Sequence, residues 1–79
     1  MLLSEAGLSL EQWLLTERLG KAREMLAAPR YDRLTVAAIA TRCGFSSPSH
    51  FSRRFQAAYG AAPSEWRRLR REEAMAAAG

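Results

Sequence analysis

Proline and glycine cut this 79-residue chain into helical pieces, and the cut at Gly44 constrains the fold most. Upstream of it, Thr35 opens a stretch in which Val36, Ile39, Ala40 and Cys43 recur at helical spacing. Gly44 follows where a helix ends in a left-handed residue, a conformation that glycine takes without steric cost. Ser47-Pro48 then restarts a helix, with a serine cap and a proline at the first helical position, where its missing N–H is no loss. The first of these two helices is barely two turns long, so tertiary packing must hold it. Two short capped helices joined by a tight glycine turn are the parts of a helix-turn-helix. An ordinary helical hairpin has the same spacing, and at this point it stays open.

The remaining punctuation completes an all-α reading with about four helices. Ser9 followed by Gln12 is a capping box, and Leu15, Leu19, Ala22 and Leu26 recur behind it, with Leu14, Arg18 and Met25 alongside. Pro29 ends that helix, because the residue before a proline avoids the α region. It occupies residues 9–28, and residues 1–8, broken off by Gly7, read as the tail of a preceding element. Residues 34–72 hold the helix-turn-helix and a closing helix. Leu34 and Ile39 are placed as a hydrophobic staple, Gly60 closes the helix after Tyr59, and Pro63 opens the last one through Trp66 and Leu69. Residues 73–79, rich in alanine, are expected to fray.

A profile of 48% apolar and 25% charged residues excludes disorder, and no stretch reaches the roughly 20 apolar residues that span a bilayer. Much of the apolar content is alanine, so Trp13, Phe45, Phe51, Phe55, Tyr59 and Trp66 must supply much of the core. The N-terminus has no basic flank or apolar run that would make a signal peptide, and the single Cys43 has no partner for an internal disulfide. A cytoplasmic setting follows as the expectation. The net charge of +4 is unevenly placed. Residues 1–29 carry three basic against four acidic side chains, a balance of −1, whereas residues 30–71 carry nine arginines against Asp32 and Glu65, a balance of +7. Arginine suits bidentate contact with phosphates and guanine edges. A basic solvated surface without a partner is the plainer alternative.

The helix after Ser47 adds a second signal. With Phe51, Phe55 and Ala58 as its inner stripe, Arg53 falls almost opposite at ~100° per residue. Ser49 and Gln56 share that outer face, His50 and Ala57 lie at one edge, and Ser52 and Arg54 flank it. The face is short, polar and free of carboxylates, as entry into a major groove requires. An ordinary exposed helix usually mixes in glutamates.

These residues resemble a known family. The run Ser9-Leu10…Trp13-Leu14…Arg18-Leu19…Ala22-Arg23…Leu26 resembles the central linker helix in the DNA-binding region of AraC/XylS transcription regulators. Thr35-Val36-Ala37-Ala38-Ile39-Ala40…Cys43-Gly44-Phe45-Ser46…Ser49-His50-Phe51-Ser52-Arg53…Phe55…Tyr59-Gly60…Pro63-Ser64-Glu65-Trp66-Arg67 is similar to that family's second helix-turn-helix and closing helix. The resemblance covers residues 9–68, about three quarters of the chain. It implies a homeodomain-like helix-turn-helix fold, a partial DNA-binding region whose first helix-turn-helix is missing, and binding to double-stranded DNA. Carried over by position, Ser49, His50, Arg53 and Gln56 would face bases. Thr35, Ser46, Ser47 and Arg54 would meet phosphates, with Arg67 and Arg68 adding charge. Arg18 is expected to tie helices together. Ala62 stands where the family has a serine or threonine cap, which weakens the start of the closing helix. RNA polymerase is a further candidate partner.

The plainer readings stay beside these. Cys43 reads as a small buried apolar residue rather than a nucleophile, and His50 has no Cys/His/carboxylate cluster with which to hold a metal or act as a base. No cofactor, membrane contact or catalysis is expected. Trp13 and Trp66 read as core or helix-docking residues, and Arg67-Arg68-Leu69-Arg70-Arg71 also fits a solvated helix face. Beside sequence-specific DNA binding stand two alternatives: a helical protein-interaction module, and an unstable remnant without DNA affinity.

Overall fold

The computed structural model describes residues 9–78; the element expected over residues 1–8 lies outside the described residues. Four helices appear, and no strand among the described residues. They are α1 (Leu10–Ala27), α2 (Val36–Arg42), α3 (Pro48–Tyr59) and α4 (Pro63–Ala78), with a single 3-10 turn, Pro29–Tyr31, between α1 and α2. α1 packs against the other three helices, α2 against α3, and α3 against α4.

Three of the four helices begin where a side chain supplies a partner for their first amides. Ser9 Oγ accepts from Gln12 N at 3.1 Å while Gln12 Oε1 accepts from Ser9 N at 3.1 Å, a reciprocal capping box. Thr35 Oγ1 accepts from Ala38 N at 3.0 Å and Ser47 Oγ from His50 N at 3.3 Å. Each such cap contributes about 1 kcal/mol. α4 has no such side chain: alanine stands at position 62, and only its carbonyl joins in, accepting from Trp66 N at 2.8 Å.

The turn after α2 is a Schellman motif. Phe45 N donates to Ala40 O at 3.0 Å and Gly44 N to Thr41 O at 3.1 Å, with Gly44 at φ +95°. This geometry drops Phe45 into the core directly after the helix ends. The core comprises Leu19, Ala22, Met25 and Leu26 of α1, Ile39 and Ala40 of α2, Cys43 and Phe45 of the turn, and Phe51 and Phe55 of α3. Ala40 is essentially inaccessible, so α2 crosses its neighbours closely. Phe45 and Phe51 lie 4.9 Å apart by ring centroid, Phe51 and Phe55 5.6 Å, and Phe55 meets Trp66 of α4 edge-on at 5.9 Å. Burying a side chain of this kind contributes roughly 1.5–3 kcal/mol, so these rings fasten both helices of the helix-turn-helix to the rest of a small domain.

Three features depart from the sequence expectation. Ala58 is exposed, and Tyr59 instead continues the inner stripe, half-buried and edge-on to Phe55 at 4.7 Å. The larger ring reaches the core from the last turn, where a methyl group does not. Trp13 is 39% exposed and Leu10 60%, because the burial on α1 begins only with the half-buried Leu14 and Leu15. The alanine tail continues α4 to Ala78 without a break at Glu73. Alanine has the highest helix propensity, and the pairs Arg68–Glu72 and Arg70–Glu73 support that stretch.

Candidate nucleic-acid interface

The helix-turn-helix presents α3 as a ridge. Its inner side is fixed by Phe51 and Phe55, both fully buried, so rotation of the helix is not free. Ser49, His50, Arg53, Arg54 and Gln56 are consequently all exposed. Arg53, opposite the buried stripe, forms no ion pair or hydrogen bond among the described residues. No carboxylate occurs anywhere on α3. A guanidinium with all five N–H donors unspent is what a guanine edge or a phosphate requires.

The neighbouring polar groups are partly engaged. Arg54 Nε donates to His50 Nε2 at 3.4 Å, one helical turn away. That contact needs the neutral imidazole with its proton on Nδ1, the nitrogen then left free to donate. Thr35 and Ser47 use oxygen lone pairs in their caps but keep their hydroxyl protons, and exposed Ser46 has no side-chain partner among the described residues. Each hydroxyl can therefore still donate to an acceptor arriving from solvent. Thr35 and Ser47 stand at the starts of α2 and α3, where unsatisfied amides and the helix dipole favour an anion.

Arg67 does something else. It is buried, its Nη1 donating to Leu34 O and its Nη2 to Tyr31 O, both at 2.6 Å. The expectation that it adds charge toward a phosphate is corrected here: both ends of its fork are spent on carbonyls of the loop between α1 and α2. Its Nε is buried without a partner, and burial, with Arg71 nearby, lowers its pKa from the ordinary arginine range, partly offset by Asp32. Arg71 extends the same clamp through a 2.9 Å ion pair with Asp32. Arg68 is exposed and pairs with Glu72 at 3.0 Å, while Arg70 pairs with Glu73 at 3.1 Å and lies over the Trp66 ring. Two exposed arginines that patterning alone does not single out, Arg33 before α2 and Arg42 at its end, form no ion pair among the described residues. Their signal in the sequence is the lack of a carboxylate at helical spacing, the same signal that marks Arg53.

Among the described residues no group of three His, Cys, Asp or Glu side chains is placed to hold a metal ion. Cys43 is buried, its thiol 3.6 Å from Met25 Sδ, and burial raises its pKa while Lys21 lowers it to a lesser extent. No described helix is long and apolar enough to cross a membrane.

The family model of the helix-turn-helix domain matches residues 1–69. The chain belongs to this family, in its AraC-type form. It is 41% identical over 63 residues to the HTH-type transcriptional activator RhaR of Pectobacterium carotovorum subsp. carotovorum, which covers 80% of this chain and 21% of that protein. It is 34% identical over 65 residues to RhaR of Escherichia coli strain K12, covering 82% of this chain and 22% of that protein. It is 46% identical over 48 residues to the HTH-type transcriptional regulator CdhR of Pseudomonas aeruginosa, covering 61% of this chain and 13% of that protein. The chain thus spans about a fifth or less of the length of these relatives. No solved structure gave a significant match.

Proposed function

We propose that this helix-turn-helix domain binds double-stranded DNA sequence-specifically, as the DNA-contacting part of a bacterial transcription regulator working in the cytoplasm. The observation that carries the reading is the outer face of α3: an Arg53 unpaired among the described residues and flanked by Ser49, His50 and Gln56, with no carboxylate on the helix. α3 enters the major groove. Arg53 bonds a guanine bidentately, a contact worth roughly 1–3 kcal/mol of base discrimination, and Gln56, one turn on, suits an adenine. Ser49 and the Nδ1–H of His50 reach neighbouring acceptors. Thr35, Ser46, Ser47 and Arg54 take phosphates, Arg68 adds charge at the edge, and Arg33 and Arg42 join them. Arg67 has no part in the contact. A single reading unit gives weak, strongly salt-dependent binding, with affinity falling in proportion to the phosphates neutralised.

Fluorescence anisotropy on duplexes selected from a random library tests this. The parent chain should enrich a short motif, and Arg53→Ala should lose about 5- to 150-fold in affinity for it. Equal binding by the two proteins at low salt would show that α3 is not the reading element.

One observation favours a second contact. Leu10 and Trp13 put apolar area on the exposed side of α1, a surface suited to a protein such as RNA polymerase. Trp13→Ala should then weaken co-purification with polymerase while leaving DNA affinity unchanged.

A further inference from the structure

Arg18 is the most informative side chain outside the reading helix. It lies on α1, yet its guanidinium stem reaches the helix-turn-helix itself: a Cβ built on Gly44 would sit 3.0 Å from Arg18 Nε and 3.3 Å from its Cζ. The side chain therefore lies against the turn glycine, where the backbone carries no side chain. It forms no hydrogen bond or ion pair among the described residues. Beside it opens a cleft of about 530 Å³, walled by Glu11 and Arg18 of α1, Gly44 and Ser46 of the turn, and His50 and Arg54 of α3. Arg54 spends Nε on His50, and its terminal nitrogens have no partner among the described residues. Two guanidinium groups from different helices thus border one polar, open cleft, with the Ser46 hydroxyl between them in the sequence order of the turn.

We propose that this cleft receives a backbone phosphate of the bound duplex, gripped by Arg18 of α1 and Arg54 of α3. The inference rests on the DNA-binding reading above and extends the interface from the helix-turn-helix to the long helix before it. Like charges on two helices gain from an anion between them. Gly44 then has two duties. Its φ of +95° makes the turn, and its missing Cβ lets Arg18 lie against the backbone in the pose that faces the cleft. Glu11 is the one acidic wall residue, and it opposes an incoming phosphate. It sets an upper limit on affinity that a single substitution can lift.

The test uses the whole chain, titrated with a duplex at several salt concentrations. Arg18→Gln should lower affinity on every sequence and flatten the slope of log K against log salt by about 1, while Arg18→Lys keeps most of the slope. Glu11→Gln should tighten binding by about two- to fivefold, a gain that destabilisation of the fold cannot produce. A duplex with one phosphate replaced by a neutral methylphosphonate, scanned along both strands, should reveal one position that weakens the parent but not Arg18→Gln. Thermal melts separate a purely structural role, which would lower the melting temperature of Arg18→Gln and leave the salt slope intact. An unchanged slope, together with no effect of Glu11→Gln, overturns the proposal while DNA binding itself stands. No binding by the parent at any salt overturns both.

Discussion

The arginines of α3 and those of α4 are the same side chain put to opposite uses. On α4, Arg67 is buried against two carbonyls, Arg71 reaches across to Asp32, and Arg68 and Arg70 pair with Glu72 and Glu73. On α3, among the described residues, Arg53 has no partner and Arg54 only a histidine nitrogen. The denser basic run in the sequence is therefore the one more fully committed within the fold. Locating an interface depends on which charges remain unspent, and a count of charges along the chain does not report that. The α4 run holds the closing helix to the loop before the helix-turn-helix, so that Trp66 can brace Phe55, and α3 with it, from behind.

That contrast can be broken by substitution, and the largest effect belongs to α4. Arg67→Ala strips two part-buried carbonyls of charged donors, each bond worth about 1.5–3 kcal/mol. For a domain of this size the melting temperature should fall by 10 °C or more, with DNA affinity per folded molecule unchanged. A melt within a few degrees of the parent would show that the clamp is dispensable. Next comes Gly44→Ala, which forces a side chain into a left-handed backbone and against Arg18. A loss of about 1–3 kcal/mol in denaturant unfolding is expected. Arg53→Ala should leave the melting temperature within a degree or two and act on DNA alone, the mirror image of Arg67→Ala. Smaller again is Ala62→Ser, which gives α4 the cap it lacks and should add about 0.5–1 kcal/mol. The smallest change is Arg68→Ala: an exposed pair contributes about 0–1 kcal/mol, so stability should barely move and the salt slope should fall by less than 1.

Much of this was legible in the residues. The caps at Ser9, Thr35 and Ser47 and the turn at Gly44 are local chemistry, and local chemistry can be read from neighbouring letters. The outer face of α3 follows from one angle once its phenylalanines are taken as buried. Long-range pairing is what periodicity does not carry. Arg67 and Leu34 stand 33 residues apart, and nothing near either announces the contact. Tyr59 over Ala58 was a matter of reach: a ring in the last turn extends to Phe55, while a methyl one position earlier does not. Trp13 reads as a docking residue because aromatic rings usually find cover, yet its side of α1 stays open among the described residues.

The most direct test of α3 against α4 is a two-dimensional NMR titration of the isotope-labelled chain with a selected duplex, following backbone amides and arginine side chains together. Perturbations should concentrate between Ser46 and Ala57, with the Arg53 Nε resonance among the largest, and should spare the Arg67 and Arg71 side chains. Shifts centred on the arginines of α4, with Arg53 unmoved, would contradict the account.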